Sequence, residues 1–177
     1  MKILLHSCCA PCANQCVNSL REEGFDPSLF WYNPNIHPFT EFKARRESLR
    51  LYAQLVDAPL IEAEDYALRP FLTSVMRNLD NRCLVCYETR MEKAASCAAE
   101  HGYDGFTTSL LISPYQNHER IHEIAQASAE RHGVRFVYRD FRPLFRAGQK
   151  AAREMDLYMQ KYCGCIFSEE ERYRKQK

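Results

Sequence analysis

Glycine is scarce in this sequence, with 6 residues among 177, and none lies between Met1 and Gly24. The phosphate-binding loops of nucleotide-binding α/β proteins place glycines directly after the first strand, where backbone N–H groups approach the phosphates. Here the apolar stretch 2–5 leads instead into a segment, 6–16, that contains four cysteines. The sequence therefore argues against a phosphate-binding loop, and with it against an ATP-dependent enzyme of this fold class.

Long apolar runs and an excess of charge of either sign are also missing. No stretch approaches the roughly 20 residues of a membrane-spanning helix, and the N-terminus has no apolar region long enough for a secretory signal. We expect a cytoplasmic protein without a membrane partner. The formal net charge is +1, from 24 Lys+Arg and 23 Asp+Glu, which neither predicts nor excludes a nucleic acid bound by a local basic patch.

The bulk composition is that of a globular protein. Hydrophobic residues make up 46% of the chain and charged residues 27%, and a chain of this length can bury a sizeable core. No repeat, linker or low-complexity segment divides it. We therefore expect a single domain over residues 1–177, with a charged C-terminal tail that begins near residue 168.

Apolar segments alternate with amphipathic ones along the chain. Apolar, β-branched and aromatic runs bounded by glycine or proline predict strands at 2–6, 27–33, 59–63, 104–109 and 134–140. Helices are predicted at 9–23, 39–57, 67–78, 83–101, 118–132 and 147–161. This alternation predicts an α/β fold with a five-stranded parallel sheet and helices on both faces. Ligands bind beyond the carboxyl ends of such strands, so the first cysteines lie at the predicted site.

Nine cysteines are the most unusual feature of the composition. A reducing cytosol does not maintain structural disulfides, so clustered cysteines there indicate metal or redox chemistry. Cys8, Cys9 and Cys12 lie at the start of the first predicted helix, where free N–H groups and the helix dipole favour thiolates. Their spacing lets all three face one point. Cys16, one turn further on, and the isolated Cys97 are interpreted as small buried hydrophobes.

Two further pairs extend this set. Cys83 and Cys86 form a C-x-x-C motif at another predicted helix start, a spacing shared by metal sites and redox pairs. Cys163 and Cys165 flank Gly164, which lets the backbone bend so that both sulfurs can meet one centre. This pair is interpreted either as metal ligands or as a strained, easily reduced disulfide.

The three motifs together contain seven cysteines, which exceeds the four thiolates of a structural zinc site, and adjacent cysteines are unusual in a zinc knuckle. Irregularly spaced cysteine-rich loops are typical of iron–sulfur clusters, and the surplus indicates a second metal or a dithiol beside the cluster. Two alternatives stay open. One is a zinc-stabilised nucleic-acid-binding module, and the other is a metal-free thiol–disulfide oxidoreductase.

Other residues near the predicted site have less specific signals. Tyr115, after the fourth predicted strand, could stack on a base or donate a proton, as could Tyr87 and Tyr162 beside the cysteines, although core packing is the commoner role of a single tyrosine. Basic residues cluster in 42–50 and 138–146. The first stretch is interpreted as a solvated helix face, and the second as a candidate phosphate-binding patch.

The ordered set of motifs resembles the cobalamin-independent epoxyqueuosine reductase family, QueH. The segments that carry the resemblance are LLHSCCAPC, FWYNPNIHP, CLVCYETRMEKAA, GFTTSLLISPYQN, DFRP and YMQKYCGCIFS, which together span nearly the whole chain. The resemblance implies a Rossmann-like, nucleotide α-hydrolase-like fold. It also implies an oxidoreductase that reduces epoxyqueuosine at the wobble position of tRNA to queuosine, the last step of queuosine biosynthesis.

The same resemblance implies cofactors, ligands and partners. The expected ligands of a 4Fe–4S cluster are Cys8, Cys9, Cys83 and Cys86. Cys163 and Cys165 match the family's C-G-C motif, as a redox-active pair or as ligands of a second metal. Cys12 is a candidate ligand of one additional iron ion. The expected partners are tRNA carrying epoxyqueuosine and an electron donor that the sequence does not identify.

Overall fold

Five parallel strands form one sheet in the computed structural model, which describes residues 1–63 and 65–174. The strands are β1 (Lys2–His6), β2 (Asp26–Trp31), β3 (Leu60–Glu62), β4 (Gly105–Thr108) and β5 (Arg135–Phe136). Their order across the sheet is β3-β2-β1-β4-β5, and all neighbours are parallel. The predicted five-stranded parallel sheet is confirmed, and each strand overlaps its predicted segment.

Helices connect and flank these strands. They are α1 (Ala10–Glu22), α2 (Phe39–Leu55), α3 (Leu68–Val75), α4 (Arg82–Glu100), α5 (His118–His132), α6 (Phe145–Glu154) and α7 (Ile166–Tyr173). α1 packs against α2 and α6, whereas α4 packs against α5 and contacts β1 and β4. Helices thus cover both faces of the sheet. In the part of the chain that the structure describes, no helix combines the length and apolar character needed to cross a bilayer.

β1 lies at the centre of the sheet and of the core. Ile3, Leu4 and Leu5 are fully buried, because β2 and β4 flank the strand and helices cover its faces. A strand buried on both faces has a continuous apolar sequence rather than an alternating one, and residues 3–5 have that pattern. The residues that follow β1 therefore start from a rigid position at the sheet edge.

The winding of the chain reverses beside β1. β2 and β3 lie on one side of this strand, and β4 and β5 lie on the other, so a crevice opens beyond the carboxyl ends of β1 and β4. His6 pairs in register with Thr108, which places the loops after the two strands side by side. Across this junction the backbone N–H of Cys8 donates to Ser109 Oγ over 3.4 Å.

Two elements are shorter than the sequence predicts. β5 does not extend over 134–140, because this edge strand pairs only with Gly105 and Phe106 at the start of β4. α6 ends at Glu154 rather than at 161. The reason is local, since Asp156 has a φ of +56°, which is incompatible with a right-handed helix.

The expected charged tail is largely helical. α7 covers its first part, and Ser168 in the first turn of α7 donates its hydroxyl to the carbonyl oxygen of Cys165 over 2.7 Å. Glu171 forms an ion pair with Arg82 at the start of α4. Both contacts attach α7 to the rest of the fold. The end of the tail, 175–177, lies outside the described residues.

Gly105 leaves no room for a side chain between β4 and β5. A Cβ atom there would lie 2.5 Å from the backbone carbonyl oxygen of Arg135. We expect Gly105→Ala to lower the free energy of unfolding by about 1–3 kcal/mol, the usual cost of overpacking, in urea titrations followed by circular dichroism. Gln126→Ala, at an exposed position of α5, is the control and should cost less than about 0.5 kcal/mol. Equal stability of Gly105→Ala and the wild type would contradict this packing.

Candidate metal centre and substrate cavity

Three cysteines meet where β1 ends and α1 begins. Cys9, in extended conformation, is the N-cap residue of α1, and Pro11 lies in its first turn, a favoured position for proline. This start places Cys8, Cys9 and Cys12 together, with their Sγ atoms all within 4.8 Å of one another. All three are buried. The prediction that these three thiols face one point is confirmed, and we call them the thiol triad.

The spacing of the thiol triad fits a metal ion. The Sγ atoms of Cys8 and Cys9 are 3.8 Å apart. Two thiolates bound to one tetrahedral ion at about 2.3 Å are separated by about 3.8 Å. The Sγ atoms of Cys8 and Cys9 are therefore already at the distance that two ligands of one shared ion require.

The three thiols of the triad differ in pKa, so negative charge is favoured on one of them. Hydrogen bonding with Cys12 and then with Cys9 holds the pKa of Cys8 well below its ordinary value, and the guanidiniums of Arg90 and Arg45 act in the same direction. Burial raises the pKa of Cys9, and the hydrogen bond with Cys8 raises that of Cys12. One stabilised thiolate beside two thiols is suited to metal binding, which displaces the remaining protons.

Arg90 brings a buried positive charge to the thiols. It is 1% exposed, and its Nε donates to the carbonyl oxygen of Cys86 over 3.4 Å. Within residues 1–63 and 65–174 no carboxylate forms an ion pair with it. A buried cation needs a compensating anion. The Arg90 charge lowers the pKa of Cys8, so thiolates are the anions within its reach, and an anionic metal–thiolate centre fits this environment.

A cavity of about 530 Å³ at the carboxyl edge of the sheet is lined by Cys8, Cys12 and Cys163, among others. Amide groups donate to two of these sulfur atoms. Gln160 Nε2 lies 3.4 Å from Cys12 Sγ, and Gln116 Nε2 lies 3.5 Å from Cys163 Sγ. An amide N–H group can only donate, so both sulfur atoms act as acceptors in these contacts and negative charge on them is stabilised. The volume is typical of a small-molecule site.

The C-G-C segment is fastened to this cavity by its backbone. The guanidinium of Arg45 donates to the carbonyl oxygens of Tyr162 and Cys163, both over 2.9 Å. The backbone N–H of His37 donates to the carbonyl oxygen of Gly164 over 2.8 Å. Gly164 has a φ of +142°, a conformation that only glycine adopts readily. The prediction that this glycine allows the chain to bend is confirmed.

The two sulfur atoms of the C-G-C segment have different surroundings. Cys163 is exposed and faces the cavity, whereas Cys165 is buried. Cys165 Sγ accepts a hydrogen bond from the backbone N–H of Ser168 over 3.4 Å, and the residue belongs to a small apolar cluster with Cys86 and Phe71. Cys163 and Cys165 are free thiols in the structure.

Cys83 and Cys86 lie in the first turns of α4 and are not among the three cysteines whose Sγ atoms meet at the thiol triad. Burial is the main cause that raises the pKa of Cys83, and the charge of Cys163 adds to it. Burial raises the pKa of Cys86 to about 12, with the same contribution from Cys163. The charge of Cys8 in turn acts on Cys163. Among the described residues, only the thiol triad brings three potential metal-binding atoms of Cys, His, Asp or Glu side chains within 4.8 Å of one another.

The remaining two cysteines are buried, and two tyrosines near the cavity donate hydrogen bonds to protein groups. Cys16 and Cys97 are 0% and 4% exposed, which confirms their interpretation as buried. Tyr87 donates its hydroxyl to Gln116 Oε1 over 2.8 Å and so orients the amide toward Cys163. Tyr162 donates to the carbonyl oxygen of His37 over 2.5 Å.

The interpretation of 42–50 as a solvated helix face is wrong for Arg45. Arg45 is 1% exposed, and its Nε donates to Glu41 over 2.6 Å. Glu41, Phe42, Arg45 and Leu49 form the buried face of α2. The spacing of Phe42 and Leu49 was a signal in the sequence that Arg45 faces inward. Arg90 had the same kind of signal, because Tyr87 and Ala94 flank it at three and four positions on the buried face of α4, whereas Gln160, outside any helix, had none.

The candidate phosphate-binding patch in 138–146 is largely neutralised. Arg139 forms an ion pair with Glu23 over 2.7 Å, and Arg142 forms one with Asp140 over 2.6 Å. These arginines are engaged by carboxylates and are less available for phosphates.

Comparisons with known proteins identify the family of this sequence. A family model described as "Epoxyqueuosine reductase QueH" matches residues 3–171. A protein of that name from Dehalococcoides mccartyi is 41% identical over 174 residues, 98% of this chain and 96% of the relative. Another from Thermotoga maritima is 33% identical over 98% of this chain and 93% of the relative. A third from Histophilus somni is 34% identical over 94% of this chain and 72% of the relative.

A solved structure shares the fold. The crystal structure of a predicted tRNA methyltransferase subunit from Methanocaldococcus jannaschii aligns with a TM-score of 0.55, over 99% of this chain and 94% of that chain. The sequence identity is 12%, so the likeness concerns the fold alone. It supports the α/β fold with a parallel sheet.

Arg45 is expected to determine the position of the C-G-C segment. Lysine keeps the charge but cannot donate to two carbonyl oxygens and to Glu41 together. We expect Arg45→Lys to lower the free energy of unfolding by about 2–4 kcal/mol. It should also speed hydrogen exchange in peptides that cover 158–170, measured by mass spectrometry.

The matched control for this variant is Arg50→Lys, also on α2. The Arg50–Glu62 ion pair is 45% and 29% exposed, and its loss should cost less than about 1 kcal/mol. Exchange in 158–170 that is the same in Arg45→Lys as in the wild type would show that Arg45 does not hold the segment.

Proposed function

The chain belongs to the epoxyqueuosine reductase QueH family, and we propose that cysteines of its three motifs bind an iron–sulfur cofactor for that reduction. As a member of this family the protein is an oxidoreductase that acts on tRNA containing epoxyqueuosine and catalyses the final step of queuosine biosynthesis. The observation that carries the cofactor proposal is the buried thiol triad beside a cavity of substrate size.

The reaction sets the requirements for the site. Removal of the epoxide oxygen leaves an alkene and consumes two electrons and two protons, with water as the product. A bound iron–sulfur centre would supply electrons one at a time at low potential. The site must therefore hold several thiolates, balance their negative charge and admit a nucleoside to the same cavity.

We assign the ligands by motif. The proposed ligands of a 4Fe–4S cluster are Cys8, Cys9, Cys83 and Cys86. Cys163 and Cys165 are proposed as a redox-active pair or as ligands of one additional iron ion, together with Cys12. Cys12 lies so close to Cys8 and Cys9 that it could also bind the same centre as they do. Cysteine variants separate this alternative from binding of the additional iron ion.

The surrounding residues support an anionic centre and restrict the source of protons. Arg90 supplies a buried positive charge near the thiols, and Gln160 and Gln116 donate hydrogen bonds to sulfur. The hydroxyl protons of Tyr87 and Tyr162 are committed to protein acceptors. Neither tyrosine is therefore proposed as the proton donor to the epoxide oxygen.

The cellular setting follows from the thiols. We propose a reducing, cytoplasmic environment, in which unpaired cysteines persist. Because the proposed cofactor transfers electrons one at a time, the electrons must come from an external one-electron donor.

Metal analysis of protein purified without oxygen tests the cofactor. We expect brown protein with about four or five irons and about four sulfides per chain, and a broad absorption band at about 400 nm. Colourless protein with about one zinc per chain would favour the zinc-stabilised nucleic-acid-binding alternative. Protein without metal whose thiol count changes reversibly on oxidation would favour the thiol–disulfide alternative.

Single cysteine variants test the ligand assignment. Cys9→Ser should lose the cluster absorbance, whereas Cys163→Ser should keep most of it and lose turnover of epoxyqueuosine-containing tRNA. Cys12→Ser should lose only the additional iron if Cys12 binds that ion, and the cluster absorbance as well if it joins Cys8 and Cys9. Cys97→Ala, on the same helix as Cys86, is the control and should keep both. Normal turnover by Cys163→Ser would contradict the role given to that residue.

A further inference from the structure

One aromatic side chain at the cavity is almost fully exposed. Tyr115 is 84% exposed, whereas the other exposed large hydrophobic residues that the structure describes range from 36% to 59%. It lines the same cavity as Cys8, Cys12 and Cys163. The core-packing role considered for this tyrosine is thus wrong. A large ring presented to solvent at a substrate cavity is a candidate contact for the substrate.

A second ring supports Tyr115. The ring centroid of Phe145, at the start of α6, lies 6.2 Å from that of Tyr115, with an interplanar angle of 85°. Phe145 is itself partly buried and packs against the main core. An edge-to-face contact of this kind steadies one side of the Tyr115 ring. Because the ring stays highly exposed, it retains surface on which a flat apolar partner can stack.

The charges that line the cavity leave a positive surplus. Glu171 is neutralised by Arg82, and Arg45 by Glu41. The remaining charged residues of the lining, Lys161 and Arg172, are both exposed. In the described part of the chain neither has a carboxylate within ion-pair distance. Both are free to contact an anion such as a phosphate.

We propose that four residues form a loop-binding rim, which binds single-stranded RNA beside the reacting nucleoside. They are Tyr115, Phe145, Lys161 and Arg172. The Tyr115 ring, backed by Phe145, stacks on a neighbouring unpaired base, and Lys161 and Arg172 contact the flanking phosphates. This inference rests on the proposed function and deepens it, because it states how the cavity selects an RNA loop. A stacking ring with nearby cations is the usual chemistry of single-strand recognition.

A base-paired partner fits the rim less well. Stacking on Tyr115 needs a base whose face is free, and bases inside a duplex are covered on both faces. The unpaired bases of a hairpin loop can be splayed toward a protein. The rim should therefore prefer a loop to a duplex of the same composition.

Binding of unmodified RNA tests the stacking step. The probe is a fluorescent stem-loop with the sequence of an anticodon arm, titrated with anaerobically purified holoprotein and followed by anisotropy. We expect Tyr115→Ala to raise Kd by about 5- to 150-fold, the value of one stacked base. Tyr115→Phe and Tyr115→Trp should bind as the wild type does, because both keep a ring.

The salt dependence of binding tests the two cations. Loss of one phosphate contact lowers the slope of log Kd against log salt concentration by about 0.7 for single strands. We expect that decrease for Lys161→Ala and for Arg172→Ala. Arg135→Ala is the matched control, because Arg135 is exposed at the opposite, amino-terminal edge of the sheet and forms no ion pair within residues 1–63 and 65–174. Its slope should equal that of the wild type.

Several results would overturn the rim. They are wild-type protein that does not bind the stem-loop, wild-type protein that binds a duplex as tightly, and Tyr115→Ala with unchanged Kd. Tyr115→Phe as weak as Tyr115→Ala would point to the hydroxyl rather than the ring. If the slope of log Kd against log salt concentration is unchanged in Lys161→Ala and Arg172→Ala, these two residues do not contact phosphates.

Failure of the rim can be told apart from failure of the proposed function. If Tyr115→Ala binds and turns over epoxyqueuosine-containing tRNA like the wild type, the rim is wrong and the reductase stands. If the wild type and its variants bind the loop as expected but the wild type lacks iron and turnover, the rim is right and the proposed iron–sulfur function is wrong. The RNA probe carries no epoxide, so its binding is independent of the reduction.

Discussion

The buried guanidinium of Arg45 is the interaction on which the assembly of the site depends. It lies on α2, in the first half of the chain, and bonds the backbone carbonyl oxygens of Tyr162 and Cys163 near the end of the chain. Glu41 balances its charge, and Tyr158 donates its hydroxyl to the same carboxylate. Together with the hydrogen bond from the His37 N–H to the Gly164 carbonyl oxygen, this anchor holds the exposed Cys163 at the cavity that Cys8 and Cys12 also line. The cavity is therefore built by a polar contact between distant segments rather than by apolar packing.

Electrostatics explains why so many thiols can share one place. Burial alone raises thiol pKa values, because it disfavours the thiolate, and Cys9 and Cys86 show this effect. Arg90, Arg45 and the amide donors Gln116 and Gln160 act in the opposite sense, since each stabilises negative charge on sulfur. Arg45, Gln116 and Gln160 line the same cavity as Cys8 and Cys12. In nucleotide-binding proteins of this architecture the crevice beyond the first strand is lined by a glycine-rich loop, and here the thiol triad lies at that position.

The elements were predictable because their signals are local. The apolar run of β1 and the spacing of Cys8, Cys9 and Cys12 at a helix start follow from short-range geometry, and both agree with the structure. β5 was predicted too long, since its apolar and aromatic residues continue beyond the two positions where β4 offers a partner. Arg45 was misread because a charged residue is usually solvated. Its burial depends on carbonyl groups more than a hundred positions away in sequence.

The sequence by itself determined the alternation of strands and helices, the cysteine motifs at two helix starts and the family to which these motifs belong. These properties depend on residue type and spacing over a few turns. Only the tertiary structure decided the strand order, the placement of Cys163 at the cavity that Cys8 and Cys12 line, and the exposure of Tyr115 at the same cavity. Each of these depends on which distant segments touch. Many chain paths are compatible with the same local preferences, and packing and the pairing of buried charges select one of them.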